Sequence, residues 1–204
     1  MSAQPDQRQR NPRGEGERLR AALMEATAEL LLEHGNADRL SIRAITARAG
    51  VSPTALYLHF ADKDELLGAV CDAAFEDLRE FLRVAATARA RAPREQLQAM
   101  GEAYIEFAQQ RPGHYRILFA TPGYLNATIQ PGQAPEDPGM EAFQELVQVT
   151  ALCLGQGDDP VAVALQLWIG LHGFVSLRAV MPAFGWPSSE EFLRGLFEAH
   201  IGSD

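Results

Sequence analysis

Apolar positions recur along most of this 204-residue chain at three- and four-residue spacing, the period of a helix with one covered face. Leu19, Leu23, Ala26 and Leu30 form the first stripe, which stops at "EHGN", where Gly35 can take the left-handed conformation that closes a helix. Ser41 can cap a short second helix over residues 42–48 that ends at Gly50. Ser52 followed by Pro53 marks a third helix start, because proline at the first helical position has no donor to lose. Asp62 with Glu65 resembles a capping box and opens a long fourth helix carrying Leu66, Val70, Ala74, Leu78 and Phe81. Four helices are thus expected before Pro93.

Beyond Pro93, Leu97, Met100, Tyr104 and Phe107 make another stripe, and "RPGHYRILF" begins a short helix after Pro112. Residues 121–139, "TPGYLNATIQPGQAPEDPG", hold four prolines and three glycines and are expected to be a loop. Helices resume over residues 140–154, over 160–180 behind the cap Asp159, and over 188–201 behind Ser188-x-x-Glu191. No strand alternation intervenes, so the expected fold is all-α with about nine helices. Residues 161–177, "VAVALQLWIGLHGFVSL", lack Asp, Glu, Lys and Arg. They fall short of the ~20 residues that cross a bilayer. A helix apolar all round needs its own domain on one face and another cover on the other, and a partner subunit is the simplest cover.

Composition, 47% hydrophobic and 22% charged, is that of an ordinary globular protein. The net charge of −9 argues against nucleic acid only until its distribution is considered. Residues 1–60 carry eight Arg against seven Asp and Glu, a net of +1, whereas residues 61–204 carry ten Lys and Arg against twenty Asp and Glu, a net of −10. Only the first part can approach phosphate. Arg8, Arg10, Arg13 and Arg18 lie in or beside a polar N-terminal arm, and Arg43 and Arg48 flank the segment discussed next. The arm has no apolar signal-peptide core, so a cytoplasmic home is expected. Cys71 and Cys153 match no zinc or CxxC spacing and are expected to be reduced, buried small hydrophobes.

Residues 49–60 read "AGVSPTALYLHF". Two short helices joined by the tight "RAGVS" turn form a helix-turn-helix, whose second helix can enter a major groove about 12 Å wide. Ala44, Ile45, Ala49, Val51 and Leu56 would make the shared core, leaving Ser52, Pro53, Thr54, Tyr57 and His59 outward. Hydroxyls, an imidazole and helix N-terminal amides are groups that hold phosphate, and Lys63 adds a charge. Each residue also has a plainer role open to it, as cap, packing group or solvated side chain.

The stretch "LSIRAITARAGVSPTALYLHFADKDELL" resembles the DNA-binding domain of the tetracycline-repressor (TetR) family, and the resemblance extends over residues 16 to about 68. It implies phosphate or base contacts from Ser41, Ser52, Thr54, Tyr57, His59 and Lys63, and a packing role for Phe60. Arg43 and Pro53 complete the candidate DNA-facing set. Ala55 stands where the family often has Thr, and Pro53 where Lys is frequent, so part of the usual contact set is absent. The expected organisation is an arm over 1–15, a three-helix DNA-binding domain over 16–62, and a helical ligand-binding and dimerisation domain over 63–204.

"YIEFAQQRPGHYRILF" and "LWIGLHGFVSL" are similar to one subclass of TetR ligand domains with a Trp-x3-His-Gly motif, here Trp168 and His172. His172 can be a core or interface histidine or a ligand contact. Met100, Tyr104, Phe107, Tyr115 and Phe119, with Trp168, can be plain core or line a cavity beside a mobile loop. The isologous interface of a homodimer is expected on Leu165, Leu171, Val175, Leu193, Leu196 and Phe197. Five scattered histidines and no HExxH-type spacing leave no enzyme, metal or cofactor chemistry to assign. The function these features point to is a homodimeric regulator that binds a palindromic double-stranded operator, most often as a repressor, and is released by a hydrophobic or aromatic small molecule. A thiol-redox regulator using Cys71 and Cys153 is the alternative.

Overall fold

The computed structural model describes residues 15–89, 92–119 and 138–202, and the regular structure among them is entirely helical. The Arg8, Arg10 and Arg13 positions, and the expected loop except its last two residues, lie outside the described residues. Two compact units divide the chain, Met1–Val70 and Cys71–Asp204. The division falls within a helix, eight residues beyond the expected boundary.

The first unit holds α1 (Glu15–His34), a 3₁₀ turn (Ala37–Arg39), α2 (Ile42–Arg48), α3 (Pro53–Leu56) and the start of α4 (Lys63–Arg89). Local chemistry sets most of the boundaries. Gly35 closes α1 at φ 69° with its N–H on the Leu31 carbonyl, and Gly50, at φ 70°, ends the α2 region. Ser41 Oγ accepts from the Ala44 N–H, and Ser52 Oγ from the Ala55 N–H. Asp62 Oδ1 accepts from the Glu65 N–H at the start of α4. The 3₁₀ turn, where Asn36 accepts from the Asp38 N–H, carries no apolar period and was not predicted.

Leu23, Leu31, Ile45, Leu56, Phe60 and Leu66 are buried together in this small core. Of the residues expected there, Ala44, Ala49 and Val51 are only half covered. Thr27 and Thr46 are buried but satisfied, each donating to a carbonyl one turn back, Leu23 at 2.7 Å and Ile42 at 2.9 Å.

The second unit contains the rest of α4 with α5 (Pro93–Gln110), α6 (Pro112–Leu118), α7 (Pro138–Ala151), α8 (Pro160–Val180) and α9 (Ser189–Ile201). Helix α5 lies at its centre, packed against α6, α7, α8 and α9, with Leu97, Met100, Tyr104 and Phe107 buried as their spacing predicts. Asp159 caps α8, and Ser188 and Glu191 cap α9 reciprocally. Those amide bonds hold the Glu191 carboxylate below its usual range. Arg79 of α4 reaches Glu141 and Glu145 of α7, tying these two helices at the surface.

Helix α8 is 21 residues long, and by length and composition it could cross a membrane, which corrects the length argument made from sequence. Ala164, Leu167, Leu171 and Phe174 are covered by the unit's own helices, while Val161, Leu165, Ile169, Leu177 and Val180 stay exposed. Phe174 also stacks on Phe192 of α9 at 3.9 Å.

Helix α5 meets α9 across Gly101, where an added Cβ would stand 2.9 Å from Leu193 Cδ2 and 3.0 Å from Phe197 Cζ. Both partners are buried, so a branched residue has to displace them. Gly101→Val is expected to cost about 2 kcal/mol and to lower the urea midpoint by about 1 M. Gly195→Ala in α9, where the added methyl meets nothing within 4 Å, should instead raise it slightly.

Candidate functional site

The helix-turn-helix side chains fall into two groups. Ser52, Pro53, Thr54 and Tyr57 are exposed around the start and end of α3, as are Ser41 and Arg43 at the start of α2. Ser41 and Ser52 use only an oxygen lone pair in capping, so each keeps its hydroxyl proton to donate outward. His59 is half covered, with Cε1 3.4 Å from where a Cβ on Gly16 of α1 would sit.

Two basic residues are engaged inside the unit. Lys63 directs its ammonium to the Ala37 and Leu40 carbonyls at 3.4 and 3.3 Å, bracing the 3₁₀ turn that the sequence did not reveal. Arg48 forks onto both oxygens of Glu33 and reaches Glu29 at 3.0 Å. This pairing holds Glu33 below the ordinary carboxylate range and raises Arg48 further. The expectation that Arg48 adds available positive charge is corrected accordingly. Leu58 was missed: it is 73% exposed beside Tyr57, and nothing in a helical apolar pattern distinguishes such a leucine from a core one.

The second unit holds a partly open apolar cavity of about 160 Å³ between α4, α5, α7, α8 and α9. Of the expected ligand set, Met100, Tyr104, Phe119 and Trp168 line it. Phe107, Tyr115 and His172 do not, which corrects their assignment. Phe107 is filled in against Phe81 and the Arg111 guanidinium, and Tyr115 and His172 lie behind the wall. Phe75 and Leu78 of α4 and Met140, Phe143 and Leu146 of α7 also face the space. Sequence spacing could not assign them, because a lining residue and a core residue share one helical period.

Behind Phe119, whose ring is 4.2 Å from that of His172, runs a chain of polar groups. Tyr104 Oη lies 3.2 Å from Tyr115 Oη, Tyr115 Oη 2.8 Å from His172 Nδ1, and His172 Nε2 3.4 Å from Ser176 Oγ. Burial raises both phenols and lowers His172, so all members are neutral at pH 7. His172 therefore stabilises the wall as a neutral imidazole.

The expected dimer set also divides. Leu171, Leu193 and Phe197 are buried within the unit, which corrects their placement on an outward face. Leu165 is exposed, and Val175 and Leu196 are half covered. Cys71 is fully buried with its thiol toward the Ile117 carbonyl, and burial pushes the Cys153 thiol up. Among the described residues no three His, Cys, Asp or Glu side chains are grouped to hold a metal.

Residues 97–202 match the family described as "Tetracyclin repressor-like, C-terminal domain", and residues 23–70 match "Bacterial regulatory proteins, tetR family". Among solved structures, a Rhodococcus sp. RHA1 protein with unknown function is 26% identical, with a TM-score of 0.68 over 91% of this chain and 98% of its own. A TetR family transcription regulator from Marinobacter aquaeolei VT8 is 19% identical, at 0.67 over 92% and 98%. A TetR-family transcriptional regulator from Streptomyces coelicolor is 23% identical, at 0.63 over 90% and 98%.

The neutral His172 gives a pH dependence with a definite sign. Its folded pKa lies below the unfolded value of about 6.5, so its stabilising contribution is complete above that value. As pH falls below about 6.5 the unfolded chain takes up the proton first, and that contribution declines until the folded pKa is reached. Urea midpoints measured at pH 7.5 and 5.5 should therefore differ more for the wild type than for His172→Gln.

Proposed function

The chain belongs to the TetR family of bacterial DNA-binding transcription regulators, and from that premise we propose that it is a homodimeric repressor whose operator binding is relieved by a small hydrophobic molecule. The observation that carries this reading is the pairing of an outward, hydroxyl-rich α3 in the first unit with an apolar cavity in the second. In the proposal, Ser41, Arg43, Ser52 and Tyr57 hold phosphates while Thr54 and Pro53 face base edges. Two such helices, one from each protomer, sit about 34–36 Å apart to occupy successive major grooves of a palindrome. A ligand that prefers a different spacing of the pair weakens operator binding by its differential affinity for the two arrangements. Trp168 and His172 retain their proposed assignment to the Trp-x3-His-Gly subclass, the first at the cavity and the second supporting it.

The homodimer reading is supported by the uncovered side of α8. Val161, Leu165, Ile169 and Leu177 follow one another at multiples of four residues, with Gly173 completing the row, and four of these five positions are large exposed apolar groups. Ridges of this period pack against their own copy, which an isologous interface requires. Leu196 of α9, seated over Gly170, extends the patch. The thiol alternative is weakened by the burial of Cys71 and the raised Cys153, since a redox sensor needs an accessible thiolate.

One experiment tests the whole reading: selection of bound sequences from random duplex DNA, followed by affinity and sedimentation measurements. The wild type should recover a palindrome and sediment as a dimer at micromolar concentration. Ile169→Glu, which puts a carboxylate on the apolar row, should sediment as a monomer and lose specific binding by about a hundredfold or more. Tyr57→Phe, at an exposed side chain, should keep the wild-type melting temperature and weaken binding about tenfold. Recovery of no preferred sequence, or a monomeric wild type, would refute the proposal.

A further inference from the structure

We infer that the occupant of the second unit's cavity is an uncharged, single-ring molecule bearing one hydroxyl or carbonyl oxygen, and that this oxygen meets the Tyr104 hydroxyl. The inference deepens the ligand-responsive reading above and rests on it. Size is the first argument. A volume of about 160 Å³ is close to the roughly 150 Å³ of an engineered apolar cavity that takes up benzene, so the space accommodates one ring with a short substituent.

Charge is the second. Among the described lining residues there is no Asp, Glu, Lys, Arg or His, so an ionised ligand would be desolvated with no counter-charge. The third argument is polarity. Tyr104 and Trp168 are the only described lining side chains that carry an O–H or N–H group. The Trp168 ring packs beside Phe119 and Phe143, whereas the Tyr104 hydroxyl lies 3.2 Å from Tyr115 Oη, so Tyr104 supplies the lining oxygen that a guest can meet.

What Tyr104 offers depends on the groups behind it, and they allow two proton arrangements on the same heavy atoms. In one, Tyr104 donates to Tyr115, Tyr115 to His172 Nδ1, and His172 Nε2–H to Ser176. Tyr104 oxygen then keeps a lone pair that accepts from a ligand hydroxyl. In the other, Ser176 donates to Nε2, Nδ1–H to Tyr115, and Tyr115 to Tyr104, whose own proton is now directed to a ligand carbonyl. Both arrangements keep every member paired and neutral. The site therefore accepts either oxygen chemistry while still favouring an oxygen over a hydrocarbon surface.

Calorimetry on the full chain with four ring-sized probes decides the matter: ethylbenzene, 4-ethylphenol, acetophenone and benzoate. The two uncharged oxygen compounds should bind about tenfold more tightly than ethylbenzene, with benzoate weakest. In Tyr104→Phe the three uncharged probes should converge to within about twofold of one another. Tyr115→Phe removes the internal acceptor for the Tyr104 proton, so acetophenone should gain at least about threefold relative to 4-ethylphenol. Equal binding of ethylbenzene and the oxygen compounds by the wild type overturns the inference while leaving an apolar ligand site intact, as does tight benzoate binding. A preference that survives Tyr104→Phe overturns it too, and if that variant does not fold, an unchanged ratio in Tyr115→Phe does so. If none of the four probes binds at millimolar concentration, the cavity's role as the ligand site fails together with the inference.

Discussion

Helix α8 carries apolar side chains around its whole circumference, and a single domain can cover only one side of a cylinder. Much of the second unit follows from how the covered side is met. Ala164, Leu167, Leu171 and Phe174 turn inward against α5, α7 and α9, while Trp168 borders the cavity and His172 supports its wall. The same rotation of the helix leaves Ile169 and its neighbours outward. The cavity and the uncovered apolar row are thus two sides of one element, so a shift of α8 at the cavity changes the presentation of the other side.

The first unit works under a different constraint, because it is small and its core is a handful of residues. Its polar groups do double duty. Thr27 and Thr46 pair with their own helices, Lys63 braces the turn at Ala37–Leu40, and the two capping serines use lone pairs internally while retaining their protons. A family-typical contact set read from sequence therefore overstates the number of cations still available to a partner.

The fold was legible in the sequence wherever local chemistry fixes a boundary. Ser41, Ser52, Asp159 and Ser188 each begin the helix they were expected to begin, and Gly35 closes α1, because a cap acts on amides two to four residues away. What depends on contacts between distant parts was not legible. A uniformly apolar helix has no period with which to orient it, so Leu171 was placed outside although it is inside. Tyr115 and His172 meet across 57 positions, and Lys63 finds its carbonyls 23 and 26 positions away. Spacing along one helix cannot report such pairings.

The Arg48 bridge to Glu29 and Glu33 bears on long-range forces at the DNA-binding unit. Left alone, two carboxylates on α1 would add a repulsive field toward a polyanion. With the guanidinium forked between them, that part of the surface presents one net negative charge instead of two, and its field falls off faster with distance. The acidity of α1 is thereby shielded by the residue that closes α2, so a duplex approaches a nearly neutral domain even though the chain as a whole is strongly anionic.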